Sequence, residues 1–294
     1  MKVAIYGQYY QNSTEPIIRD IFIFFNKNNV NLVIQDDFLA MLYEKRIITK
    51  EYVTFHDFND LPNDVDILVS IGGDGTILRA ATLVRNSGIP ILGINAGRLG
   101  FLATVQKENI DELMQFVIDK NYIVSPRTLI SLESSPNIPE IESLNFAMNE
   151  ISVSRKDTTS MITIETYLND EYLNSYWADG LIISTPTGST GYSLSCGGPI
   201  LTPDAESFVI TPIAPHNLTA RPLVIPDNVE IKLKVSGREE QYLVSLDSRI
   251  ASIDNDTVLT LKKTPFKINM VELPGKTFLK TLRTKLLWGE DKRN

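Results

Sequence analysis

The sequence predicts an α/β domain built on a doubly wound parallel sheet, followed by a mostly β domain. Three observations carry this prediction. Over the first 121 residues, short apolar segments alternate with stretches at helical spacing, as βα units require. Within them, Ile71-Gly72-Gly73-Asp74-Gly75-Thr76-Ile77-Leu78 sets three glycines and an aspartate between a strand-like run and an amphipathic one. From Tyr122 the pattern changes to period-two alternation. The predicted boundaries are residues 1–121 for the α/β domain and 122–270 for the β-rich one.

The elements follow in order. Lys2–Gly7 reads as a first strand, and Thr14-Glu15-Pro16 opens a helix with a cap and an early proline before Ile17, Ile18, Ile21, Phe22 and Phe25. Asn31–Gln35 is a second strand and residues 37–46 a second helix. Residues 65–71 are β-branched and almost continuously apolar, the composition of a strand buried on both faces of a parallel sheet. A helix is expected over 76–86, with Thr76 as its cap and Gly88 as its stop. A strand over 89–95 and a helix over 108–120 complete the domain. Beyond it, 163–170, 230–235 and 258–262 read as strands with one buried face, and 134–140 as a surface loop. Residues 277–288 regain helical spacing, with Lys276, Lys280, Arg283 and Lys285 read as a solvated face.

Composition narrows the function. A chain of 294 residues with 43% hydrophobic content supports a substantial core. No apolar run approaches the roughly 20 residues of a membrane span, and the N-terminus reads as a strand rather than a signal peptide, so a cytoplasmic location is expected. The single cysteine, Cys196, excludes an internal disulfide and, with only His56 and His216, a Cys/His zinc cluster. A net charge of −8 argues against a nucleic-acid or membrane-surface binder. Gly275-Lys276-Thr277 is no P-loop, because Met270 stands where its first glycine belongs, and Leu78 occupies the third-glycine place of a dinucleotide fingerprint.

Chemistry concentrates in three stretches. Gly72-Gly73-Asp74-Gly75 ends a buried strand and begins a helix, where bare amides and the helix dipole suit a phosphate; taken alone, such a cluster is also an ordinary tight turn. Asp74 does not suit an anion unless it orients a hydroxyl, accepts its proton or works with a metal ion. The stretch from Asp179 to Pro199 combines glycine and hydroxyl residues that either ring a ligand rich in ribose and phosphate oxygens or bond locally to the backbone. Asn149-Glu150 is a polar pair in a strand-like segment; neighbouring strand residues face opposite sides, so a shared target requires a bend, and an edge or turn position explains the pair equally well.

Together with Asn95-Ala96-Gly97-Arg98-Leu99-Gly100-Phe101-Leu102 and Pro212-Ile213-Ala214-Pro215-His216, these motifs resemble the bacterial NAD kinases, in the family's order from about residue 65 to Trp288. Gly-Gly-Asp-Gly-Thr alone is shared with diacylglycerol kinases, sphingosine kinases and phosphofructokinases; the long Thr-Gly-Ser-Thr stretch singles out NAD kinase. The resemblance implies a C-terminal β-sandwich-like domain with the tail, residues 271–294, packing back on the first domain. It also implies transfer of the γ-phosphoryl of ATP to the 2′-hydroxyl of the adenosine ribose of NAD, with Mg²⁺ as cofactor and a homodimer or homotetramer as the assembly. Asp74 would be the catalytic proton acceptor, with Gly72, Gly73 and Gly75 against phosphates. The matched positions for NAD are Asp74, Gly75, Phe101, Asn149, Glu150, Asp179, Thr190, Gly191, Tyr192, Ser193, Leu194, Ser195 and Ala214. Arg79, one turn into the helix, either meets a phosphate or is an exposed helix arginine. Gly191 departs from the alanine of many family members, which would keep backbone contacts but loosen the loop. A lipid or sphingoid-base kinase and a non-catalytic NAD(P) sensor are the alternative readings.

Overall fold

The computed structural model describes residues 1–8, 14–95, 97, 99–105, 110–156, 160–217 and 219–288. It divides into two units, Met1–Pro126 with Ile268–Asn294, and Arg127–Lys267. Among the described residues, no helix is long and apolar enough to cross a membrane.

In the first unit the strands β1 (Lys2–Gly7), β2 (Asn31–Gln35), β3 (Val53–Phe55), β4 (Ile67–Gly72), β5 (Ile91–Asn95) and β6 (Ile123–Arg127) join the late strand β19 (Ile268–Glu272) in one sheet of order β3-β2-β1-β4-β5-β19-β6. The pairings from β3 through β19 are parallel. All six residues of β4 are buried, which explains its near-continuous apolar sequence. The helices are α1 (Thr14–Lys27), α2 (Asp36–Glu44), α3 (Asp74–Val84) and α4 (Ile110–Ile118). Buried residues of α1, α2 and α4 share one core with Val3, Ile5, Ile34, Val69 and Ile94 of the strands. On α3, Ile77 reaches Gly93 of β5, where a Cβ would lie 2.3 Å from Ile77 Cδ1.

Two features place the site. β1 lies between β2 and β4, so the winding direction reverses there, and the carboxyl ends of β1 and β4 open the crevice where such sheets bind ligands. The tail returns to this unit: β19 pairs beside β5 through Met270 and Ile91, and α7 (Phe278–Leu286) is capped by the Thr277 hydroxyl, which accepts from Lys280 N at 3.3 Å.

Several details differ from the sequence reading. Thr76 is not a cap: α3 begins at Asp74 with Gly73 as N-cap, and the Thr76 hydroxyl is buried 3.3 Å from Gln8 Oε1. The strand β3 goes unsignalled because it is only three residues long and two of them are exposed. β6 continues the first sheet, so the unit boundary falls a few residues after the change of pattern at Tyr122. The expected start of the fourth helix at Glu108, and Ala96 and Arg98 of the Asn95 to Leu102 motif, lie outside the described residues.

The second unit is an antiparallel sandwich. One sheet has the order β11-β10-β15-β18-β7-β8, from β7 (Ile130–Ser135), β8 (Phe146–Ala147), β10 (Ile162–Leu168), β11 (Glu171–Ala178), β15 (Ile231–Ser236) and β18 (Val258–Lys263). The other has the order β14-β13-β12-β9-β16-β17, from β9 (Glu150–Arg155), β12 (Gly180–Ser184), β13 (Ser207–Ile213), β14 (Leu223–Pro226), β16 (Gln241–Leu246) and β17 (Arg249–Asp254). Alternate residues of both, among them Ile164, Leu233, Val153, Ile183, Phe208 and Val244, form one core. The expected loop at 134–140 holds the end of β7 and the start of a one-turn helix, α5 (Pro139–Glu142), whose Ile141 anchors it. The hydroxyl-rich stretch is likewise helical in part, with a 3-10 turn at Thr187–Thr190 and α6 (Tyr192–Ser195).

Candidate active site

The Gly72–Gly75 turn sorts its glycines by purpose. A Cβ on Gly72 would lie 2.2 Å from Thr76 Oγ1, so the turn itself demands glycine there. At Gly73 and Gly75 a Cβ would meet nothing within 4 Å. The chain does not need glycine at those two positions. What the missing side chains provide is bare amide surface at the N-terminus of an eleven-residue helix, suited to a phosphate.

Asp74 is held fast. Its Oδ2 accepts from Phe101 N at 2.8 Å, and its Oδ1 from Leu102 N at 3.0 Å and Ala103 N at 2.9 Å. A carboxylate has roughly four acceptor positions, so one remains, on Oδ2. Gly100 admits this packing, since a Cβ there would fall 1.8 Å from Asp74 Oδ1. The loop is secured from the tail as well: Lys285 Nζ donates to Leu99 O at 2.7 Å and lies 4.8 Å from the centre of the Phe101 ring, which is 6.5 Å from that of Phe278. Lys285 is exposed, as the reading of the helix cations as a solvated face expects, and it reaches Leu99 as well. Its long stem reaches a loop that only the returning tail brings near.

Beside this turn opens a cleft of about 680 Å³ whose lining includes Gln8, Gln35, Asp37, Phe38, Arg79 and Leu83. Arg79 is exposed, yet it faces a cavity that combines apolar walls with amide, carboxylate and guanidinium groups.

In the second unit, Asn149 and Glu150 do converge. The segment leaves the pleat between β8 and β9, and its backbone finds other partners. Thr185 Oγ1 donates to Met148 O at 2.6 Å and Thr185 N to Asn149 O at 2.9 Å. Opposite, the Asp247 carboxylate accepts from the amides of Met148, Asn149 and Glu150 at 2.9, 2.8 and 3.1 Å. Freed from strand alternation, both side chains approach Gly191: a Cβ there would lie 3.1 Å from Glu150 Oε2 and 3.5 Å from Asn149 Nδ2. Asn149 Oδ1 and Glu150 Oε2 are buried without a hydrogen-bond partner among the described residues. Buried polar atoms in that state call for a partner from outside the chain.

The hydroxyls divide between scaffold and surface. Ser184, Thr185 and Ser189 donate to backbone carbonyls, and Ser193 Oγ lies 2.8 Å from Thr211 Oγ1. Scaffold bonds thus account for Ser184, Thr185, Ser189 and Ser193, whereas Thr187 Oγ1 is buried without a partner among the described residues. Thr190 and Leu194 are half-buried, and Tyr192 and Ser195 are exposed on the turn that follows. At the other end of β12, Asp179 pairs with Arg155 Nη1 at 3.0 Å, an ion pair with no signal in the sequence. Ala214 follows the β13 residue paired with Gly180 and is exposed, with a positive φ of 44°. Five residues of strand, about 17 Å at ~3.3 Å each, separate the Asp179 end of β12 from Ser184, which pairs with Glu150.

Burial, reinforced by the charge of Asp247 and opposed by the Tyr192 amide, pushes the Glu150 carboxyl up to about 8. Burial, then Cys196, Asp179 and Glu150, also push the Tyr192 phenol up. At neutral pH Glu150 therefore holds its proton and can donate as well as accept, which suits a neighbour rich in phosphate charge. The folded protein keeps this proton where the unfolded chain has lost it, so stability falls as pH rises from about 4.5 to about 8. Glu150→Gln removes the penalty. Its thermal unfolding should show a gain near zero at pH 4.5 that grows to the order of 2–4 kcal/mol at pH 8; a gain independent of pH would refute this assignment.

The structure thus groups Gly72, Gly73, Asp74, Gly75, Arg79 and Phe101 in the first unit. In the second it groups Asn149 and Glu150 with Gly191, and Asp179 with Ala214 at the far end of β12. Sequence reasoning missed Thr185 as a backbone partner, and also Arg155, Asp247 and Lys285, because each acts across the fold.

Comparison with known proteins gives concordant results. Residues 11–122 match the family model described as ATP-NAD kinase N-terminal domain, and 148–273 the one described as ATP-NAD kinase C-terminal domain. The chain is 74% identical to an NAD kinase of Flavobacterium johnsoniae and 55% identical to one of Christiangramia forsetii, each over the full length of both chains. Among solved structures it is similar to an NAD kinase from Archaeoglobus fulgidus in complex with ATP, at 25% identity and a TM-score of 0.73 over 97% of each chain. The fold also matches yeast NADH kinase complexed with NADH, with a TM-score of 0.84 at 22% identity over 99% of this chain and 88% of that one.

Proposed function

This chain belongs to the NAD kinase family, and from that premise we propose how its residues transfer the γ-phosphoryl of ATP to the adenosine ribose 2′-hydroxyl of NAD. The observation that carries the reading is the Gly72–Gly75 turn, with two glycines no packing requires and an aspartate fixed so that one acceptor position on Oδ2 remains. Asp74 takes the 2′-hydroxyl at that position and accepts its proton as the oxygen attacks the γ-phosphorus, whose bond to the bridging oxygen breaks to release ADP. Because phosphoryl transfer rests mainly on positioning and charge stabilisation, the three amides that fix Asp74 are part of the catalyst.

The amides of Gly72, Gly73 and Gly75 hold phosphate oxygens, and Arg79 brings a cation to the phosphates of a donor nucleotide seated in the adjoining cleft. Asn149 and Glu150 take the ribose hydroxyls of NAD with the polar atoms that lack a partner among the described residues. Thr190, Gly191, Tyr192, Leu194 and Ser195 line the acceptor, with Ser193 buried behind them against Thr211, while Asp179, oriented by Arg155, and Ala214 meet its other end. Phe101 supplies an apolar wall.

The cleft fits a hard divalent ion carried on the nucleotide, since the Asp37 carboxylate lines it and offers oxygen ligands. Mg²⁺ bound there would neutralise charge on the transferred group. The enzyme works in the cytoplasm as a homodimer or homotetramer, on small-molecule substrates and not on nucleic acid or membranes.

A panel of phosphoryl donors and acceptors tests the reading. ATP, Mg²⁺ and NAD should yield NADP. A phosphorylated lipid or sphingoid base in its place would point to the lipid kinases that share the glycine motif, NAD binding without turnover would mean a sensor, and no product from any donor would overturn the proposal.

A further inference from the structure

The turn between β16 and β17 does more than reverse the chain. Leu246 pairs with Arg249, leaving Asp247 and Ser248 as a two-residue turn with Asp247 at a φ of 52°, in the left-handed region. That backbone turns the Asp247 side chain inward beneath residues 148–150. Its Oδ1 accepts from Asn149 N and Glu150 N, its Oδ2 accepts from Met148 N, and its own amide donates to Glu150 O at 3.0 Å. Two residues on, the Arg249 guanidinium donates to Leu144 O and Phe146 O and lies 5.6 Å from the centre of the Phe146 ring. One hairpin therefore holds five of the seven residues 144–150, by the carbonyls of Leu144 and Phe146 at one end and chiefly by the amides of residues 148–150 at the other.

We propose that Asp247 and Arg249 are positioning residues for the acceptor substrate, a clamp that holds Asn149 and Glu150 out of strand alternation so that both present polar atoms to one ribose. Neither needs to touch the substrate. Without the clamp, residues 148–150 would regain the alternation of β9 and send the two side chains to opposite faces. The inference rests on the reading of Asn149 and Glu150 as NAD contacts.

The clamp is also electrostatic. Burial pushes the Asp247 carboxyl above its ordinary range, against the pull of the three amides and of Arg249, and its charge in turn raises Glu150. The charged and titratable groups concerned are Asp247 and Arg249 from the hairpin and Tyr192 from α6, whose amide meets Glu150.

The decisive variant is Asp247→Asn, which keeps the shape but removes the charge and turns a donor toward at least one of the three amides. Expected are a rise of at least ~10-fold in KM for NAD, KM for ATP unchanged within about twofold, and a lower titration midpoint of Glu150 by carbon NMR of ¹³C-carboxyl-labelled glutamate. Arg249→Lys, which retains charge but loses the planar fork that spans two carbonyls, should raise KM for NAD in the same selective way. Equal rises for NAD and ATP, or an unchanged KM for NAD in either folded variant, would overturn the proposal, as would an unmoved Glu150 midpoint in folded Asp247→Asn. Should Asp247→Asn fail to fold, Arg249→Lys decides alone. If the wild type turns over no NAD, the kinase reading fails separately, and the clamp is then read from the Glu150 midpoint and from NAD affinity by calorimetry.

Discussion

Asp74→Asn is expected to lower kcat for NADP formation at least ~100-fold, the scale on which general-base groups contribute. Two effects combine. The amide cannot accept the hydroxyl proton, and whichever way it is oriented its NH₂ group must face an amide hydrogen of the 101–103 loop, now bound at both carboxylate oxygens. Steady-state rates with saturating ATP and NAD, alongside thermal unfolding, separate the two. Loss of turnover with unfolding and NAD affinity close to wild type assigns the effect to proton acceptance. A folded variant with near-normal kcat would remove Asp74 from the chemistry.

Gly188→Ala should damage the acceptor side about as severely, and for a steric reason. A Cβ at Gly188 would fall 2.1 Å from Asn149 O, 2.4 Å from its carbonyl carbon and 2.7 Å from its Cα. These are backbone atoms, already fixed by Thr185 on one side and Asp247 on the other, so they cannot yield as a flexible side chain would. The expected cost is about 1–3 kcal/mol of stability, the usual range for overpacking, with a loss of NAD affinity exceeding ~10-fold. Gly191→Ala is the milder contrast: its Cβ would stand 3.1 Å from Glu150 Oε2 and 3.2 Å from the backbone oxygen of Gly188, so its neighbours need yield only a few tenths of an ångström. Thermal melts and NAD titrations of both variants check the contrast, and Gly188→Ala behaving as wild type in both would remove the argument.

Much of this was legible because it is local. Val69 and Ile71 sit in a run whose composition already specifies a strand covered on both faces, and Ile17, Ile21 and Phe25 recur at the spacing of one helical face. Glycine spacing announced the turn at Gly72, since phosphate sites in such sheets follow a strand end. The Asn149-Glu150 pair illustrates the limit. Strand alternation argues that its two side chains diverge, and only the bend imposed by Thr185 and Asp247 brings both to Gly191.

The sequence by itself determined the class of the fold, the positions of the main α/β elements and of three strands of the β domain to within a few residues, and the family through motifs contiguous along the chain. Tertiary structure alone decided which residues hold those motifs in working geometry. Asp74 is fixed by amides 27 to 29 residues away, residues 148–150 by a carboxylate almost 100 residues on, and Leu99 by a lysine 186 residues later. Hydrophobic periodicity records which face of an element is buried, but a hydrogen bond between distant segments leaves no periodic trace in either of them, so its partners become visible only when the sheets are assembled.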